Sequence, residues 1–427
     1  MTVDQRPDHD GAMQSVESYL AEVLAAIRPL QSRDLGLDEA EGCVTAADVT
    51  ATWPLPPFDN SAMDGYAVLA ADVASAGPDR PVTLPVRAEV AAGDTTQRRL
   101  EPGTAIKIMT GALLPSGADT VVPVEWTDGG AGDAAAASAR GNGSGKVSIR
   151  QPAEAGHAVR RTGGDAAPGD LLLPAGTVLG PAQLGVLAAA GHGRVSAQPR
   201  PRVVVISTGN ELTEPGEPVT PGRIWESNSR MLAAAARQAG CQARRDPLIR
   251  DRTDAVLAAI EDALPAADLL VTTGGVSMGG EHDAVKAALA GLGTVAFRKV
   301  AMQPGMPQGF GTVGDTTTPI FTLPGNPVSA YVSFQLFVRP ALRVLQGLPA
   351  DSLPATRAAL AAPVTSPRGR RSYLRGVLDI SSRTITPASG QMSHQLASLA
   401  RANALVIVPE TVTAMQAGDE ADVLMLP

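Results

Sequence analysis

Apolar positions from Ser15 onward recur at helical spacing: Val16, Tyr19, Leu20, Val23, Leu24 and Ile27, with Pro29 just beyond. This stripe predicts a helix that stops before the proline. Residues 35–52 read as a short helix and a strand. Between 82 and 125 the apolar runs shorten, and VTLPVRAEV, AIKIMTG and DTVVPVE predict the strands of a small β domain. The tract TDGGAGDAAAASARGNGSGK, residues 127–146, has no apolar period and reads as a flexible loop or hairpin tip. A Gly-rich β segment follows, through LLLPAGTVL, and residues 181–190 predict a short apolar helix ending at Gly191.

Beyond Arg200 the pattern changes. RVVVI, DLLVTT, TVAFRKV and TPIFTL are near-continuous apolar runs. They alternate with helical stretches at 228–239, 253–264, 282–290 and 327–346. Such alternation predicts a largely parallel sheet covered on both faces. After Pro349 the runs shorten again, as in a second small β domain. The fold class is therefore α/β plus small β domains, with a central doubly wound α/β domain. The expected domains are 12–52 with 169–200, 53–168, 201–349 and 350–427. No repeat of solenoid length interrupts this order.

Composition narrows the picture. At about 150 residues per domain, 427 residues hold more than one domain. Aromatics are 3%, against 44 Gly and 35 Pro, so the cores are built from aliphatic side chains separated by many turns. A net charge of −8 argues against a duplex-DNA face, and no nucleic-acid partner is expected. No apolar run approaches the roughly 18 residues of a membrane span. The acidic start MTVDQRPDHDG lacks the apolar core of a signal peptide, so a cytoplasmic protein without a membrane partner is expected. Cys43 and Cys241 lie far apart and read as buried reduced thiols, not as a metal or disulfide framework.

Candidate chemistry gathers at strand ends, because open parallel sheets bind ligands beyond the carboxyl ends of their strands. The first end is ISTGNEL, where Gly209 permits a tight turn and Glu211 is placed to face a crevice. The second is TTGGVSMGGEHD. Gly274 and Gly275 let backbone N–H groups approach an anion, Ser277 offers a hydroxyl and Asp283 a carboxylate. The third is LPGNPVSA, where Pro324, Gly325, Asn326 and Pro327 make a rigid turn into a helix. Each turn alone is as often a plain turn as a binding loop; three in one domain point to a cleft. Glu211, Asp251 and Asp283 are oxygen ligands suited to Mg²⁺, which takes one or two carboxylates plus substrate phosphates. Walker, Rossmann, HExxH and nucleophile-elbow patterns are all absent. In the N-terminal half, the turn around Asp59, Asn60, Ser61 and Asp64 is dense in acceptors. Thr110 ends AIKIM, and Asp165 follows two glycines.

Taken in order, FDNSAMDGYAV, IKIMTGALLPSGADTVVP, ISTGNEL, TTGGVSMG and LPGNPVSA resemble the molybdopterin molybdenumtransferase family. That is the MoeA group of bacteria, related to the E domain of gephyrin. The likeness runs from about Ser15 to the end. It implies an elongated four-domain protomer that forms a homodimer, with the site in a cleft completed by the other subunit. The implied reaction converts adenylylated molybdopterin and molybdate to molybdenum cofactor and AMP with Mg²⁺. The molybdopterin adenylyltransferase is a further implied partner.

The resemblance places functional groups at Asp64, Thr110, Asp165, Glu211 and Asp251. It implies Mg²⁺ binding by Glu211, Asp251 and Asp283. Substrate-binding positions fall on Gly209, Gly274, Gly275, Ser277, Asp283, Lys299, Pro324, Gly325, Asn326, Pro327, Arg371 and Ser393. Arg368, Arg370 and Arg375 lie in the region that lines a molybdate pocket in the family, and His394 reads as structural. Gln303 and Met306 stand where the family usually carries lysines, leaving Lys299. A second reading is thus a non-catalytic molybdopterin-binding or scaffolding paralogue.

Overall fold

The computed structural model describes residues 13–128, 145–275, 284–290, 294–315, 317–351 and 353–427. The chain divides into two compact units. The larger contains the segment up to Leu35, Gly42–Ala46 and Ser196–Pro427; the smaller contains Gly36–Glu41 and Ala47–Val195.

In the larger unit, a six-stranded sheet runs in the order Gln242–Arg245, Arg202–Ser207, Leu269–Thr273, Thr318–Leu323, Pro307–Val313, Ala296–Lys299. The first four strands are parallel and the last two antiparallel. Strand alternation divides the apolar residues between two faces. Val203, Val205, Leu269 and Val271 join a core with Leu232, Phe334, Phe337 and the helix residues Val16, Tyr19 and Val23. Val204, Ile206 and Leu270 face the other way, toward Val256, Ile260, Val285 and Leu289. The doubly covered sheet read from the apolar runs is present. The predicted first helix spans Val16–Ala26, and Ser15 caps it by accepting the Ser18 N–H at 3.1 Å. The stretch expected as one helix from 327 is Pro327–Ser333 and Arg339–Leu345, joined by a π-helical turn at Phe334–Val338.

Two strands of this six-stranded sheet were not expected. Gln242–Arg245 is an edge strand whose only apolar residue is Ala243, so it carries no apolar run. Pro307–Val313 holds two glycines that look like loop residues. They serve close packing instead: a Cβ on Gly309 would lie 1.8 Å from Thr322 Oγ1, and one on Gly311 2.5 Å from the Thr294 carbonyl. The helix expected in 35–52 is absent. Arg33–Gly36, Val44–Thr45 and Val49–Thr50 are short strands joined by turns, and Gly42 adopts φ 72°, outside helical geometry.

The C-terminal part closes into a barrel. Arg371–Asp379, Thr384–Pro387, Ala355–Leu360, Glu420–Met425 and Ala404–Val408 pair in that order, and the last pairs back with the first. In the smaller unit, a five-stranded sheet runs Thr120–Pro123, Gly65–Val68, Ala105–Ile108, Val82–Val90, Lys146–Ile149. Gly65 of the FDNSAMDGYAV motif is needed there, because a Cβ would sit 2.1 Å from the Val122 carbonyl. Most of the tract read as a flexible loop, 129–144, lies outside the described residues.

Neither cysteine forms a disulfide, and both are buried. Burial pushes the Cys241 thiol up to about 12 and raises that of Cys43. The thiolate is the reactive form. A disulfide-exchange reagent is therefore expected to titrate neither thiol in the folded protein at pH 8, and both after unfolding in denaturant. Rapid native labelling would contradict this.

Candidate active site

The three predicted strand ends meet. Beyond the carboxyl ends of Arg202–Ser207, Leu269–Thr273 and Thr318–Leu323 lies a cavity of about 720 Å³. Its walls include Glu211, Asp251, Gly274, Gly275 and the turn Pro324–Gly325–Asn326–Pro327. Backbone hydrogen bonds join the loops. The Thr208 N–H donates to the Thr273 carbonyl at 3.2 Å, and the Gly274 N–H to the Leu323 carbonyl at 3.3 Å. Gly274 has φ +94°, and a Cβ there would lie 2.4 Å from the Thr208 carbonyl. Gly275 has φ 66°. Gly209 does not need a left-handed φ as expected of a tight turn. The position is instead tight: a Cβ would lie 2.8 Å from Leu212 Cγ, and 2.7 Å from Glu211 Oε2, which can swing aside. Asn326 holds the N-cap position of the helix that Pro327 opens, without a side-chain capping bond.

Asp251 is fixed from two sides. It accepts the Thr208 hydroxyl at 2.6 Å and the Asn210 N–H at 3.1 Å. Its own N–H donates to Asn210 Oδ1 at 3.3 Å. The Glu211 carboxylate has no hydrogen-bond partner among the described residues, so it is free to meet a ligand. Among the described residues no three His, Cys, Asp or Glu side chains gather as a ready metal cage. Glu211 and Asp251, the two cavity carboxylates not paired with an arginine, nonetheless suit Mg²⁺, which leaves its other positions to water and substrate oxygens. Ser277 and Asp283 lie outside the described residues.

The cavity also uses residues that the sequence reading missed. Asn228 is 8% exposed; its amide donates to Thr273 Oγ1 at 2.9 Å and to the Gly325 carbonyl at 2.7 Å, tying two walls together. Glu226 is buried, accepts the N–H and hydroxyl of Ser229 at 2.6 and 2.8 Å, and pairs with Arg230 at 3.1 Å. Trp225 and His394 line the space as well. The polar sequence WESNSR looks like an ordinary helix start; only its place after a strand end could have flagged it.

Three expected positions lie elsewhere in the larger unit. Lys299 is exposed on the sheet's antiparallel edge and does not line the cavity. Arg371 is committed to carboxylates: it pairs with Glu17 and, at 2.9 Å, with Glu410. Burial opposes its charge, and the Glu17 bond overrides this and raises its pKa. Ser393 lines a smaller cavity of about 180 Å³ with Gln303, Met306, Ser329 and Arg370. Arg375 is fully buried and donates to the Gly390 and Met392 carbonyls at 2.8 and 3.3 Å.

Within the smaller unit, Asp64 accepts both the N–H and the hydroxyl of Thr110 at 2.7 Å. Asp59 accepts the Thr162 N–H at 2.7 Å and pairs with Arg161 at 2.7 Å. Asp165 is exposed, its N–H bound to the Leu55 carbonyl at 2.9 Å. The Thr110 N–H holds Asp64 below its ordinary 3.8, and the Thr162 N–H does the same for Asp59. A carboxylate with a depressed folded pKa stabilises fully above its unfolded value and loses that contribution as pH falls through the folded one. Thr110→Val is therefore expected to cost at most about 1 kcal/mol at pH 6, since the pair is exposed. Urea unfolding should show this difference shrinking toward zero as the pH falls below the lowered folded pKa of Asp64, where the carboxyl is protonated. A difference that persists undiminished at that pH would refute the assignment.

Three family models account for most of the chain. The MoeA N-terminal region (domain I and II) matches residues 14–191, a probable molybdopterin binding domain 204–344, and the MoeA C-terminal region (domain IV) 357–426. Molybdopterin molybdenumtransferase 2 of Mycobacterium tuberculosis is 45% identical over 420 residues, covering 96% of this chain and 99% of its own. The Bacillus subtilis molybdopterin molybdenumtransferase is 34% identical over 384 residues, covering 89% and 86%. Among solved structures, the molybdopterin biosynthesis MoeA protein from Pyrococcus horikosii superposes with a TM-score of 0.76 at 32% identity, covering 97% of this chain and 99% of that one. The strand ends that build the large cavity fall inside the molybdopterin-binding match, and the chain belongs to the MoeA family of molybdopterin molybdenumtransferases.

Proposed function

We propose that this chain inserts molybdenum into adenylylated molybdopterin, consuming molybdate and releasing molybdenum cofactor and AMP. The observation that carries this reading is the large cavity, which gathers Glu211, Asp251, Gly274, Gly275 and Pro324–Pro327 from three separate motifs. The positive φ of Gly274 and Gly275 brings bare backbone to the wall, which suits the approach of a phosphate group. Asp251, held by Thr208 and Asn210, presents a fixed carboxylate, while Glu211 is free to turn toward a ligand. These two side chains, with Asp283, would hold Mg²⁺. When bound, the ion would neutralise charge developing on the phosphoanhydride as AMP leaves.

Molybdate is a tetrahedral dianion and is recognised by charge-assisted donors. The smaller cavity offers Arg370, Gln303 and Ser393 for it. Asp64, Thr110 and Asp165 would serve the dithiolene end of the substrate. In this reading the protein is a cytoplasmic homodimer that receives its substrate from a molybdopterin adenylyltransferase. No described helix is long and apolar enough to cross a membrane.

The test is AMP release by the purified protein from adenylylated molybdopterin, with molybdate and Mg²⁺ supplied together and omitted singly. Release that requires both supports the reading. One observation favours the scaffolding alternative: Gln303 and Met306 put no lysine charge on the smaller cavity. Substrate binding without AMP release at saturating molybdate would establish that alternative. Sedimentation as a stable monomer at micromolar concentration would contradict the dimer.

A further inference from the structure

One wall of the large cavity is left unused by this chemistry. Trp225 is 53% exposed and Ile224 58%, and both line the cavity. Large apolar side chains left facing water in a concave site are informative, because burying them on a ligand is favourable. Trp225 is also held in place. The Ile224 N–H donates to the Glu211 carbonyl at 2.8 Å, and the Glu226 N–H to the Thr213 carbonyl at 2.9 Å. The indole Nε1–H donates to the Glu217 carbonyl at 2.9 Å. With that proton committed to the protein's own backbone, the indole offers a ligand only its π face and edge. The other walls carry the carboxylates Glu211 and Asp251 and the exposed backbone of Gly274 and Gly275. A cavity lined by one fixed aromatic side chain and by these polar groups fits a planar heteroaromatic ring joined to a phosphate.

We propose that Trp225 is the stacking platform for the heteroaromatic ring of the substrate, and so a specificity-determining residue of this site. The inference rests on the reading above, in which the substrate carries two such rings, the pyrimidinone ring of the pterin and the adenine. Stacking is common to both, and an indole held by its own backbone bond needs no rearrangement to receive either.

The protein has three tryptophans, at 53, 126 and 225. A Trp53→Phe/Trp126→Phe double variant reports on Trp225 alone. It is titrated with AMP and, separately, with a simple soluble pterin, following indole fluorescence and heat of binding in parallel. Quenching by AMP assigns the adenine to Trp225; quenching by the pterin assigns the pterin. Trp225→Phe keeps an aromatic face and should bind within about threefold of the parent, whereas Trp225→Leu keeps apolar bulk without a ring and should weaken binding about tenfold. The same tenfold should appear in KM for the adenylylated substrate, with kcat within about threefold.

Binding heat without quenching by either ligand overturns the proposal, as does a Trp225→Leu variant that binds like the parent. No binding of either ligand overturns it too. AMP release by the wild-type protein separates this outcome from the parent reading. Release with a silent Trp225 sinks only the platform, and quenching without release sinks the catalytic reading while the platform stands.

Discussion

Replacing Glu211 by glutamine is expected to lower the rate of AMP release about 100-fold, with no loss of folded stability. The argument starts from what the side chain does not do. Its carboxylate makes no hydrogen bond to any described residue, although it lines the cavity. Only its backbone is structural, the carbonyl accepting the Ile224 N–H, and glutamine retains that bond. Urea unfolding should therefore move by no more than about 0.5 kcal/mol, as for other surface changes. Groups that merely orient a metal's ligands typically cost 10–100-fold when removed, so a carboxylate that itself holds Mg²⁺ should reach roughly the upper end of that range. Raising the Mg²⁺ concentration should restore part of the loss. Unchanged turnover would remove Glu211 from the site's chemistry.

Gly274→Ala should act in the opposite sense, on the fold first and on the site through it. The residue adopts φ +94°, and its new Cβ would lie 2.4 Å from the Thr208 carbonyl. That neighbour is backbone of a central strand end and cannot swing aside. Strain at such a φ costs about 1–3 kcal/mol. Overpacking against rigid structure adds about 1–3 kcal/mol. A loss of about 3 kcal/mol in urea unfolding is expected. Any relief must come from moving Thr208, whose hydroxyl holds Asp251, so the remaining folded protein should also bind substrate poorly. Gly325→Ala is the matched control. Its φ is ordinary and the nearest atom to an added Cβ is the Gly274 Cα at 3.6 Å, so a change within about 1 kcal/mol is expected. Equal effects of the two substitutions would show that the close approach at Gly274 does not govern the cavity.

What could be read beforehand follows from how local each signal is. RVVVI and DLLVTT were legible as buried strands because each carries its own apolar run, and the structure places both in the sheet. QARR and PQGFGTV were not, because their strand character comes from neighbours: Gln242–Arg245 pairs with Arg202–Val205, and Gly309 fits only beneath Thr322. The large cavity was legible at its glycines and prolines, which mark backbone that must bend. Asn228 was not, since its two amide bonds reach Thr273 and Gly325, far along the chain. Arg371 shows the same limit from the other side. It looked available for an anion, yet its partner Glu17 lies 354 positions away. Family resemblance supplied Asp64 and Thr110, and the structure adds that the hydroxyl and amide of one hold the carboxylate of the other.

The parallel order of the central sheet has a consequence for how the protein is made. Strands Arg202–Ser207, Leu269–Thr273 and Thr318–Leu323 are neighbours in space but emerge from the ribosome one after another, each separated from the next by a helix-bearing crossover. The cavity's walls come from all three, Pro324–Pro327 follows the third strand, and His394 and Leu396 come later still. A growing chain therefore holds no substrate-binding surface until that strand is synthesised and docked. A substrate present during synthesis cannot template the earlier strands, and can only favour the finished sheet by mass action once it has closed.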